Sequence, residues 1–363
     1  MSEREALLSE DRAVALKRSD APAAYAGGGA APGAKSRRLA ENGASSGNGV
    51  EELSSPFTWS LDRSSDVGRT MLAATRRLAE AGSDTPQLDA ALLLGFVLGV
   101  NKSWLYAHPT RPLSENEIER CEELVRRRMH HEPVAYLVGF KSFYGLDITV
   151  DHHVLIPRPE TELLVDHVLD FVQNLARQGQ RSSVADVGTG SGAIAVALAV
   201  NVPELLVYAM DVSDAALTVA AQNVWRYGVG EQVQLLPGHL LEPLPAPVDV
   251  IVANLPYIAT GDLPGLPPQV RGYEPALALD GGADGLGVIA DLLVSLAAPP
   301  GCHKLRPGGR VYLEIGAGQG DAARALVQEL LTDAEVRVIQ DYAELDRMLI
   351  VALPAFKRSA SDS

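Results

Sequence analysis

The stretch that decides the fold is SVADVGTGSGAIAVALAV, residues 183–200. It joins a short apolar run to a longer one through a loop that contains three glycines. The first run has the length of a buried strand, and the second has that of a helix. Glycines at such a junction let the backbone approach a ligand at the helix N-terminus. The stretch therefore predicts a strand, a ligand-binding loop and a helix in direct succession.

Segments with helix and strand character alternate around this loop. The predicted helices cover residues 160–177, 192–201, 214–226, 285–297 and 319–331, and the predicted strands cover residues 183–187, 206–211, 232–236, 248–254, 310–315, 335–340 and 347–353. Such alternation indicates an α/β domain with a parallel sheet covered on both faces. The last two of these strands have no helix between them, so they must pair antiparallel or lie apart.

Composition and pattern divide the chain into five segments. Residues 1–58, rich in Ala, Gly and Ser, and the C-terminal tail 355–363 are expected to be disordered. Residues 59–138 show helical spacing and predict a small helical domain. Aromatic and β-branched residues in 139–158 predict a β-hairpin linker. Residues 159–354 contain the α/β pattern and are the expected catalytic domain.

Within the helical segment, three local patterns mark helix ends. Pro86 suits a first helical turn, and Ser114 with Glu117 forms a capping-box signature. The basic run RRRMHHE, residues 126–132, is typical of a helix end, where cations lie near the negative end of the helix dipole.

The overall charge restricts the class of partner. The chain has 363 residues, a formal net charge of -15 and a pI of about 5.0. Because binding to nucleic acid depends on neutralising phosphates, we expect no direct nucleic-acid partner. The cysteines, Cys121 and Cys302, provide neither a disulfide framework nor a zinc pattern, which fits a reducing cytoplasm. We expect no secretory signal and no membrane span.

Two other patterns are interpreted as structural. The adjacent pairs His130-His131 and His152-His153 lack a carboxylate at helical spacing, and neighbouring side chains diverge, so we predict no metal site. The glycine-rich run EIGAGQG, residues 314–320, follows a later strand. No acidic strand end follows it about 20 residues later, where a ribose-binding carboxylate would stand. We interpret this run as a turn into a helix.

The loop at residues 186–192 carries a pattern typical of a site for a nucleoside-containing cofactor. Asp211 ends the next strand, where a carboxylate can accept hydrogen bonds from ribose hydroxyls. The glycine spacing also satisfies the dinucleotide pattern, so NAD is a competing interpretation. Three features favour S-adenosylmethionine (SAM). Asp186 stands where it would meet a cationic amino group, the sheet closes with an antiparallel pair, and the fourth strand ends in Asn-Leu-Pro-Tyr.

Asn254, Leu255, Pro256 and Tyr257 follow that strand at the carboxyl edge, where α/β sheets bind ligands. An amide or exocyclic amine nitrogen is a poor nucleophile because its lone pair is delocalised. Acceptors can hold its N–H groups so that it faces the methyl group of a sulfonium. The Asn254 side-chain oxygen and the Leu255 carbonyl are the predicted acceptors. Pro256 fixes the backbone, Tyr257 offers a flat face, and catalysis by orientation follows.

With these motifs, the chain resembles the HemK/PrmC family of release-factor glutamine methyltransferases. The likeness extends from about residue 65 to 353, and its most specific piece is PRPETE at 157–162. The other matching motifs are TPQLDA at 85–90, EPVAYLVG at 132–139, FYG at 143–145, IPRPETE at 156–162, YEP at 273–275 and AL at 278–279.

The resemblance implies a fold, a reaction and a partner. The fold is a Rossmann-like SAM-dependent methyltransferase sheet of seven strands with an antiparallel last hairpin, behind a helical release-factor-binding domain and a hairpin linker. The reaction methylates the N5 amide nitrogen of the glutamine in the Gly-Gly-Gln motif of class 1 peptide chain release factors. The implied cofactor contacts are Asp186, Gly188, Thr189, Gly190, Ser191, Gly192, Asp211, His239, Leu240 and Asn254. The implied substrate contacts are Phe143, Asn254, Leu255, Pro256 and Tyr257.

Two positions depart from the family pattern. Leu255 replaces the usual Pro, which leaves the turn less fixed. His239 stands where the family often has Asp, and it could accept from an adenine amine only as a neutral imidazole. Because Asn-Leu-Pro-Tyr also occurs in rRNA adenine dimethyltransferases, an adenine-N6 methyltransferase of rRNA or DNA stays open. A ribosomal-protein glutamine methyltransferase and a non-catalytic SAM-binding scaffold are further alternatives. We expect a cytoplasmic monomer.

Overall fold

The computed structural model describes residues 65–297 and 304–353. All of these residues belong to one compact unit, Thr58–Ser363. The segments expected to be disordered, 1–58 and 355–363, lie outside the described residues. No helix in the described part of the chain is both long enough and apolar enough to cross a membrane.

Five helices form the N-terminal part of this unit, as the spacing of apolar residues predicts. Their bounds are α1 Val67–Glu80, α2 Pro86–Leu98, α3 Lys102–Ala107, α4 Glu115–Met129 and α5 Val134–Val138. Pro86 opens α2, and the predicted capping box opens α4. There the Glu117 carboxylate accepts from the Ser114 N–H at 2.8 Å, and Ser114 Oγ accepts from the Glu117 N–H at 3.3 Å. The basic run ends α4, with arginines in its last turn.

These helices pack around an apolar core of their own, and one buried ion pair crosses it. Arg128 Nε of α4 donates to Asp89 Oδ2 of α2 at 2.8 Å, and the two side chains are 8% and 6% exposed. Asp89 also accepts from Ser83 Oγ and Thr85 Oγ1, at 2.8 and 3.0 Å. The carboxylate is therefore satisfied from both ends, which a buried charge requires. The surrounding core includes Val67, Ala74, Leu78, Leu93, Leu94, Leu105, Cys121 and Val125.

The predicted hairpin consists of β1 Phe140–Phe143 and β2 Leu146–Thr149, which pair antiparallel. Tyr144 and Gly145 form its turn with φ angles of 52° and 75°, the conformation that a tight two-residue hairpin favours. Phe143 and Ile148 are buried in the same apolar core as one face of the large sheet. The hairpin therefore does more than connect the helical part of the unit to the α/β part, because its inner face belongs to the α/β core.

Among the described residues, the α/β part contains seven strands and six further α-helices. The helices are α6 Thr161–Arg177, α7 Ala193–Asn201, α8 Asp214–Arg226, α9 Pro268–Arg271, α10 Gly287–Leu296 and α11 Gly320–Leu330; the strands are β3 Ser183–Val187, β4 Leu206–Asp211, β5 Val233–Pro237, β6 Val248–Ala253, β7 Leu305–Glu314, β8 Glu335–Gln340 and β9 Asp346–Ala352. Across the sheet the order is β5-β4-β3-β6-β7-β9-β8. The predicted fold class is confirmed.

The last two strands pair antiparallel, which decides between the two options that the sequence left open. β9 lies between β7 and β8 and runs antiparallel to both. All other neighbouring strands in the sheet are parallel. Strand order reverses between β3 and β6, and the crevice outside such a reversal is where open α/β sheets bind ligands.

One strand boundary differs clearly from the prediction. β7 begins at Leu305 rather than at 310, whereas the other predicted bounds in the α/β part agree within two residues. The segment Arg306-Pro307-Gly308-Gly309 interrupts the apolar pattern, so the sequence does not reveal that the strand already pairs there. The register with β6 shifts between Val248 and Val250, and a bulge of this kind accommodates the irregular residues.

The Arg128–Asp89 pair generates a stability prediction. Arg128→Ala should lower the free energy of unfolding by about 3–5 kcal/mol, because it leaves a buried carboxylate without its cation. Arg126→Ala is the control. That arginine pairs with Glu123 at the surface, where the side chains are 60% and 51% exposed, and its loss should cost less than about 1 kcal/mol. Urea denaturation measures both. Equal, small losses would show that the buried pair does not stabilise the helices.

Candidate active site

The carboxyl ends of β3, β4 and β6 border a cavity of about 260 Å³. This volume lies near the lower end of those that hold small molecules. The cavity brings together most of the residues that the sequence analysis selected, namely Phe143, Gly188, Thr189, Gly190, Ser191, Asp211, His239, Leu240, Asn254, Leu255 and Pro256. Three selected residues, Asp186, Gly192 and Tyr257, are not among its lining residues.

The glycine loop between β3 and α7 forms one wall of the cavity. Gly190 has a φ of 55°, and a Cβ built on it would meet no atom within 4 Å. A side chain at Gly190 would therefore be strained and would project into open space on the cavity wall. At Gly192 a Cβ would lie 3.2 Å from the Cβ of Ala220 in α8. Gly192 thus permits close packing of two helices, and Gly190 leaves room for a ligand.

Asp186 lies beneath this loop and is completely buried. Its Oδ2 accepts from Thr189 Oγ1 at 2.6 Å and from the Ala195 N–H at 3.1 Å. Its Oδ1 has no hydrogen-bond partner among the described residues. Burial raises the pKa of this carboxyl group to about 7, and the nearby Asp211 charge adds to the increase. Asp186 therefore braces the loop through one oxygen and keeps the other as an unpaired buried acceptor.

Asp211 connects the glycine loop to the next helix. Its Oδ2 accepts from the Gly190 N–H at 2.9 Å, and its Oδ1 accepts from the Ser213 N–H at 2.9 Å. Ser213 in turn caps the N-terminus of α8. A carboxylate has about four lone-pair sites, so each oxygen of Asp211 can accept another hydrogen bond. The strand end thus presents a fixed double acceptor to the cavity.

Asn254 follows β6, and its amide is held at one end. Its Nδ2 donates to Thr161 Oγ1 at 3.1 Å, and Thr161 Oγ1 donates to Glu314 Oε2 at 2.7 Å. Asn254 Oδ1 accepts no protein hydrogen bond among the described residues. The Asn254 side chain lines the cavity, and because its nitrogen is engaged by Thr161, its oxygen is left as an acceptor.

Tyr257 is held at both its side chain and its backbone. Its hydroxyl donates to Glu314 Oε1 at 3.3 Å, and its carbonyl accepts from Gln319 Nε2 at 3.0 Å. Burial and the adjacent Glu314 raise the pKa of the phenol, so the hydroxyl keeps its proton. A Cβ on Gly285 would lie only 2.3 Å from the Tyr257 carbonyl oxygen, so the turn also depends on this glycine.

Residues of the PRPETE run join separate parts of the site. Arg158 donates to the Glu274 carboxylate at 2.5 Å, and Glu274 also accepts from the Ile156 N–H at 3.1 Å. Glu162 accepts from the Tyr144 N–H in the hairpin turn at 2.8 Å. Together with Thr161, these contacts fix the loop around Glu274, the hairpin and the Asn254 turn relative to one another.

The prediction that the side chains of neighbouring histidines diverge is wrong for one pair. His152 and His153 do not diverge, because their ring centroids lie 3.8 Å apart. Asp151, His152 and His153 offer ligand atoms within 4.8 Å of one another, and His153 Nδ1 lies 3.1 Å from Asp151 Oδ1. Both histidines are exposed, and His153 lies at the cavity wall. The absence of a metal remains a prediction.

Sequence reasoning missed four residues that hold the site, of which Thr161 lines the cavity and Glu274, Glu314 and Gln319 do not. Thr161 and Glu274 belong to motifs that carried the family resemblance, but no role was predicted for either. Glu314 and Gln319 belong to EIGAGQG, which does form the predicted turn into α11 and also holds Tyr257. The available signal was an acidic residue at the end of an apolar strand, the same signal that selected Asp211.

Comparison with known proteins matches both halves of the unit. Residues 71–139 match the model of the PrmC N-terminal domain, and residues 165–260 match that of ribosomal protein L11 methyltransferase (PrmA). The release factor glutamine methyltransferase of Moorella thermoacetica is 42% identical over 278 residues, covering 76% of this chain and 95% of that protein.

The chain belongs to the release factor glutamine methyltransferase family. The relative with this name from Gloeobacter violaceus is 44% identical over 237 residues, covering 64% of this chain and 79% of that protein. A solved protein-(glutamine-N5) methyltransferase (release factor-specific) from Alicyclobacillus acidocaldarius is 28% identical, covers 55% of this chain and 94% of that chain, and has a TM-score of 0.32. As a member of this family, the protein is a methyltransferase.

Residues at the cavity, and Asp186 beneath its glycine loop, fit the cofactor that this family implies. SAM combines a cationic amino group, a sulfonium, ribose hydroxyls and an adenine. The buried unpaired Oδ1 of Asp186 suits a cation beside the loop, and the open space at Gly190 suits close approach of a ligand. Asp211 presents carboxylate oxygens to hydroxyl groups. His239 and Leu240 line the far wall, where Leu240 adopts a φ of 46°.

The buried Asp186 carboxyl generates a pH prediction. Its pKa is raised from 3.8 to about 7 in the folded protein. At a pH between these two values, the folded state therefore holds a proton that the unfolded state has lost. Stability from this group is present at low pH and is lost as the pH rises through about 7. Asp186→Asn cannot titrate and can keep one oxygen acceptor. Its stability relative to the wild type should therefore increase with pH, by up to about 1.4 kcal/mol per pH unit.

Urea denaturation of both proteins without cofactor, at about pH 5, 6 and 7, measures this difference. Comparing the two proteins at each pH removes contributions that they share, including that of Glu314. A stability difference that is the same at every pH would show that Asp186 does not titrate in this window.

Proposed function

We propose that this methyltransferase transfers a methyl group from SAM to the N5 amide nitrogen of the glutamine in the Gly-Gly-Gln motif of class 1 peptide chain release factors. The observation that carries the proposal is the fixed Asn254 amide, whose Nδ2 is engaged by Thr161 and whose Oδ1 remains available beside the glycine loop. Family membership supports the same donor and the same substrate.

The cofactor end of the site is built from the glycine loop and two carboxylates. SAM, when bound, supplies an electrophilic methyl group on a sulfonium. Asp186 would balance the charge of its amino group, Asp211 would accept from the ribose hydroxyls, and Gly190 would let the backbone lie against the ligand. His239 and Leu240 would border the adenine, with the imidazole of His239 as its acceptor when neutral.

The substrate end is built from the Asn-Leu-Pro-Tyr turn. The glutamine amide has two N–H groups, and two acceptors can hold them, namely Asn254 Oδ1 and the Leu255 carbonyl. Both hydrogen bonds turn the nitrogen so that its lone pair faces the cavity. Phe143 and Pro256 line the same cavity and would border the flat amide. Tyr257 stands behind this wall and supports the turn through Glu314 and Gln319.

The chemistry needs orientation more than proton abstraction. When bound, SAM would supply the methyl group and leave as a neutral thioether that keeps the electron pair of the carbon–sulfur bond. The amide nitrogen, held by Asn254 and the Leu255 carbonyl, would form the new bond to carbon and lose one proton to water. As the nitrogen gains positive charge, its N–H groups become stronger donors to Asn254 Oδ1 and the Leu255 carbonyl. These interactions are therefore stronger in the transition state than in the ground state, which is the condition for catalysis.

The protein partner is consistent with the charge and with the site. A surface with a net charge of -15 does not favour nucleic acid, so the adenine alternative lacks the electrostatic attraction that it needs. We expect the release factor to extend its Gly-Gly-Gln loop into the cavity and the helical domain to contact the rest of it. A monomeric state and a cytoplasmic location remain predictions from the sequence.

Loss of the Asn254 amide should remove most of the activity. Asn254→Ala should reduce methyl transfer by about 100-fold or more, as loss of a preorganised polar contact typically does. The assay is mass spectrometry of the Gly-Gly-Gln peptide after incubation of the full-length release factor with enzyme and SAM. Asn201→Ala, at the end of α7 and outside the cavity lining, is the control and should keep its activity. Unimpaired methyl transfer by Asn254→Ala would show that this stretch is only a turn. Methylation of rRNA or DNA adenine instead of the glutamine would show that the proposed substrate is wrong.

Loss of the Asp211 carboxylate should weaken cofactor binding. Asp211→Ala should reduce SAM affinity by about 1.5–3 kcal/mol, because it removes hydrogen bonds to a charged group and also releases the Gly190 N–H. Asp214→Ala, an exposed position in the first turn of α8 outside the cavity lining, should leave the affinity unchanged. Isothermal titration calorimetry with SAM and NAD measures both. Tight NAD binding without SAM binding would contradict the proposed cofactor.

A further inference from the structure

Glu314 is a buried carboxylate that the proposed chemistry does not use directly. It ends β7, is 4% exposed and is not among the residues that line the cavity. Its two oxygens accept from two hydroxyl groups, Oε2 from Thr161 and Oε1 from Tyr257. Among the described residues, no cationic side chain donates to it. The nearest charges that influence it are Glu160 and Arg347, and Arg347 Nε is itself hydrogen-bonded to Asp341.

A carboxylate in this position is costly for the fold. Burial penalises its charged form and raises its pKa to about 7. A glutamine of the same shape, or an apolar side chain, would avoid the penalty. The residues that Glu314 contacts suggest why a carboxylate stands there, because Thr161 and Tyr257 each lead to the Asn-Leu-Pro-Tyr turn.

The direction of the hydrogen bonds runs from Asn254 to Glu314. Above its raised pKa of about 7, Glu314 is ionised and can only accept, so the Thr161 hydroxyl then gives its single proton to Glu314. The Thr161 oxygen then has only lone pairs to offer to Asn254. Asn254 must therefore donate to Thr161 through Nδ2, which leaves Oδ1 as the atom that can accept from a substrate.

The two ends of a carboxamide have almost the same shape, so packing alone selects weakly between them. If the residue at 314 could donate, the Thr161 hydroxyl could donate to Asn254 Oδ1 instead. Asn254 would then turn Nδ2 toward the substrate, and a donor facing the N–H groups of a glutamine amide would repel them. The chemical identity of residue 314 therefore decides which atom of Asn254 the substrate meets.

We propose that Glu314 is a positioning residue for methyl transfer, which acts through the Thr161 hydroxyl to hold the Asn254 amide with its oxygen toward the substrate. Through Tyr257 it also holds the other end of the same turn. This inference rests on the proposed function, since it assigns a role in orienting an amide substrate. Thr161 and Asn254 line the cavity, whereas Glu314 and Tyr257 do not, so we expect Glu314 to affect turnover rather than cofactor binding.

Four variants test the relay. Glu314→Gln keeps the shape and can donate, Thr161→Val keeps the shape and removes the hydroxyl, and Thr161→Ser keeps the hydroxyl as the conservative control. The double variant combines Glu314→Gln with Thr161→Val. Methylation of the full-length release factor gives kcat and KM at saturating SAM, calorimetry gives SAM affinity, and thermal unfolding gives Tm.

We expect Glu314→Gln and Thr161→Val each to lower kcat by about 10–100-fold, while SAM affinity stays within about 2-fold. Thr161→Ser should stay within about 3-fold of the wild type in kcat. Because Glu314 acts through Thr161, the double variant should lose no more than Glu314→Gln alone. Wild-type kcat in Thr161→Val, losses that multiply in the double variant, or a kcat loss matched by a large drop in Tm would overturn the proposal.

A second measurement keeps this test separate from the proposed function. The side-chain amide of Asn254 is observed by NMR in protein labelled with ¹⁵N-asparagine and is assigned by its absence in Asn254→Ala. Its two proton resonances should shift in Glu314→Gln and in Thr161→Val, but not in Thr161→Ser. Unchanged resonances in all three variants would overturn the relay. If instead the wild type fails to methylate the release factor while the resonances shift as expected, the relay stands and the assigned substrate is wrong.

Discussion

Two carboxylates are buried on the strands that flank β6, and the cost of burying them shapes this end of the sheet. Asp186 of β3 lies opposite Val252, and Glu314 of β7 immediately follows the residue that pairs with Ala253. Neither forms an ion pair with a cationic side chain among the described residues, and burial raises the pKa of both to about 7. Such groups are stable only where hydrogen bonds satisfy them. Their hydroxyl and amide partners therefore become fixed points of the site.

The two carboxylates use that constraint in different ways. Asp186 draws Thr189 and Ala195 toward one oxygen, so the glycine loop and the start of α7 hold one geometry. Glu314 accepts from Thr161 and Tyr257, so it fixes the start of helix α6 relative to the turn after β6. Asn254 follows the central strand, β6, between these two arrangements. It lines the same cavity as the glycine loop, and it begins the hydrogen-bond chain that ends at Glu314.

Much of the fold follows from the spacing of apolar residues and from the Gly, Pro and capping residues that mark the ends of helices and strands. The strand–loop–helix unit at 183–200, the alternation of elements and the capping box all correspond to the structure within a residue or two. These features depend on local patterns, which a sequence displays directly. The start of β7 was predicted too late because Pro307 and two glycines hide a pairing that only the neighbouring strand determines.

The candidate site shows the same division between local and non-local information. Residues at strand ends, such as Asp211 and Asn254, line the cavity because position along a strand predicts position at the sheet edge, while their roles stay predictions. Thr161 and Glu314 are 153 positions apart in the sequence, and no spacing rule joins them. The same holds for Arg158 and Glu274, 116 positions apart. Most of these residues lie in motifs that resemble the family, but only the fold shows which residues each one contacts.

The contact between Leu255 and the glycine loop has an evolutionary consequence. A Cβ on Gly188 would lie 3.1 Å from Leu255 Cδ2, and the leucine side chain is only 4% exposed. The second position of the turn and the first glycine of the loop therefore share one small volume. A residue with a side chain at 188 would crowd Leu255 and would also be strained by a φ of 72°. A change of Leu255 to the more compact proline would relieve only the first restriction, so the first glycine of the loop is expected to persist in relatives that carry either Leu or Pro at this position.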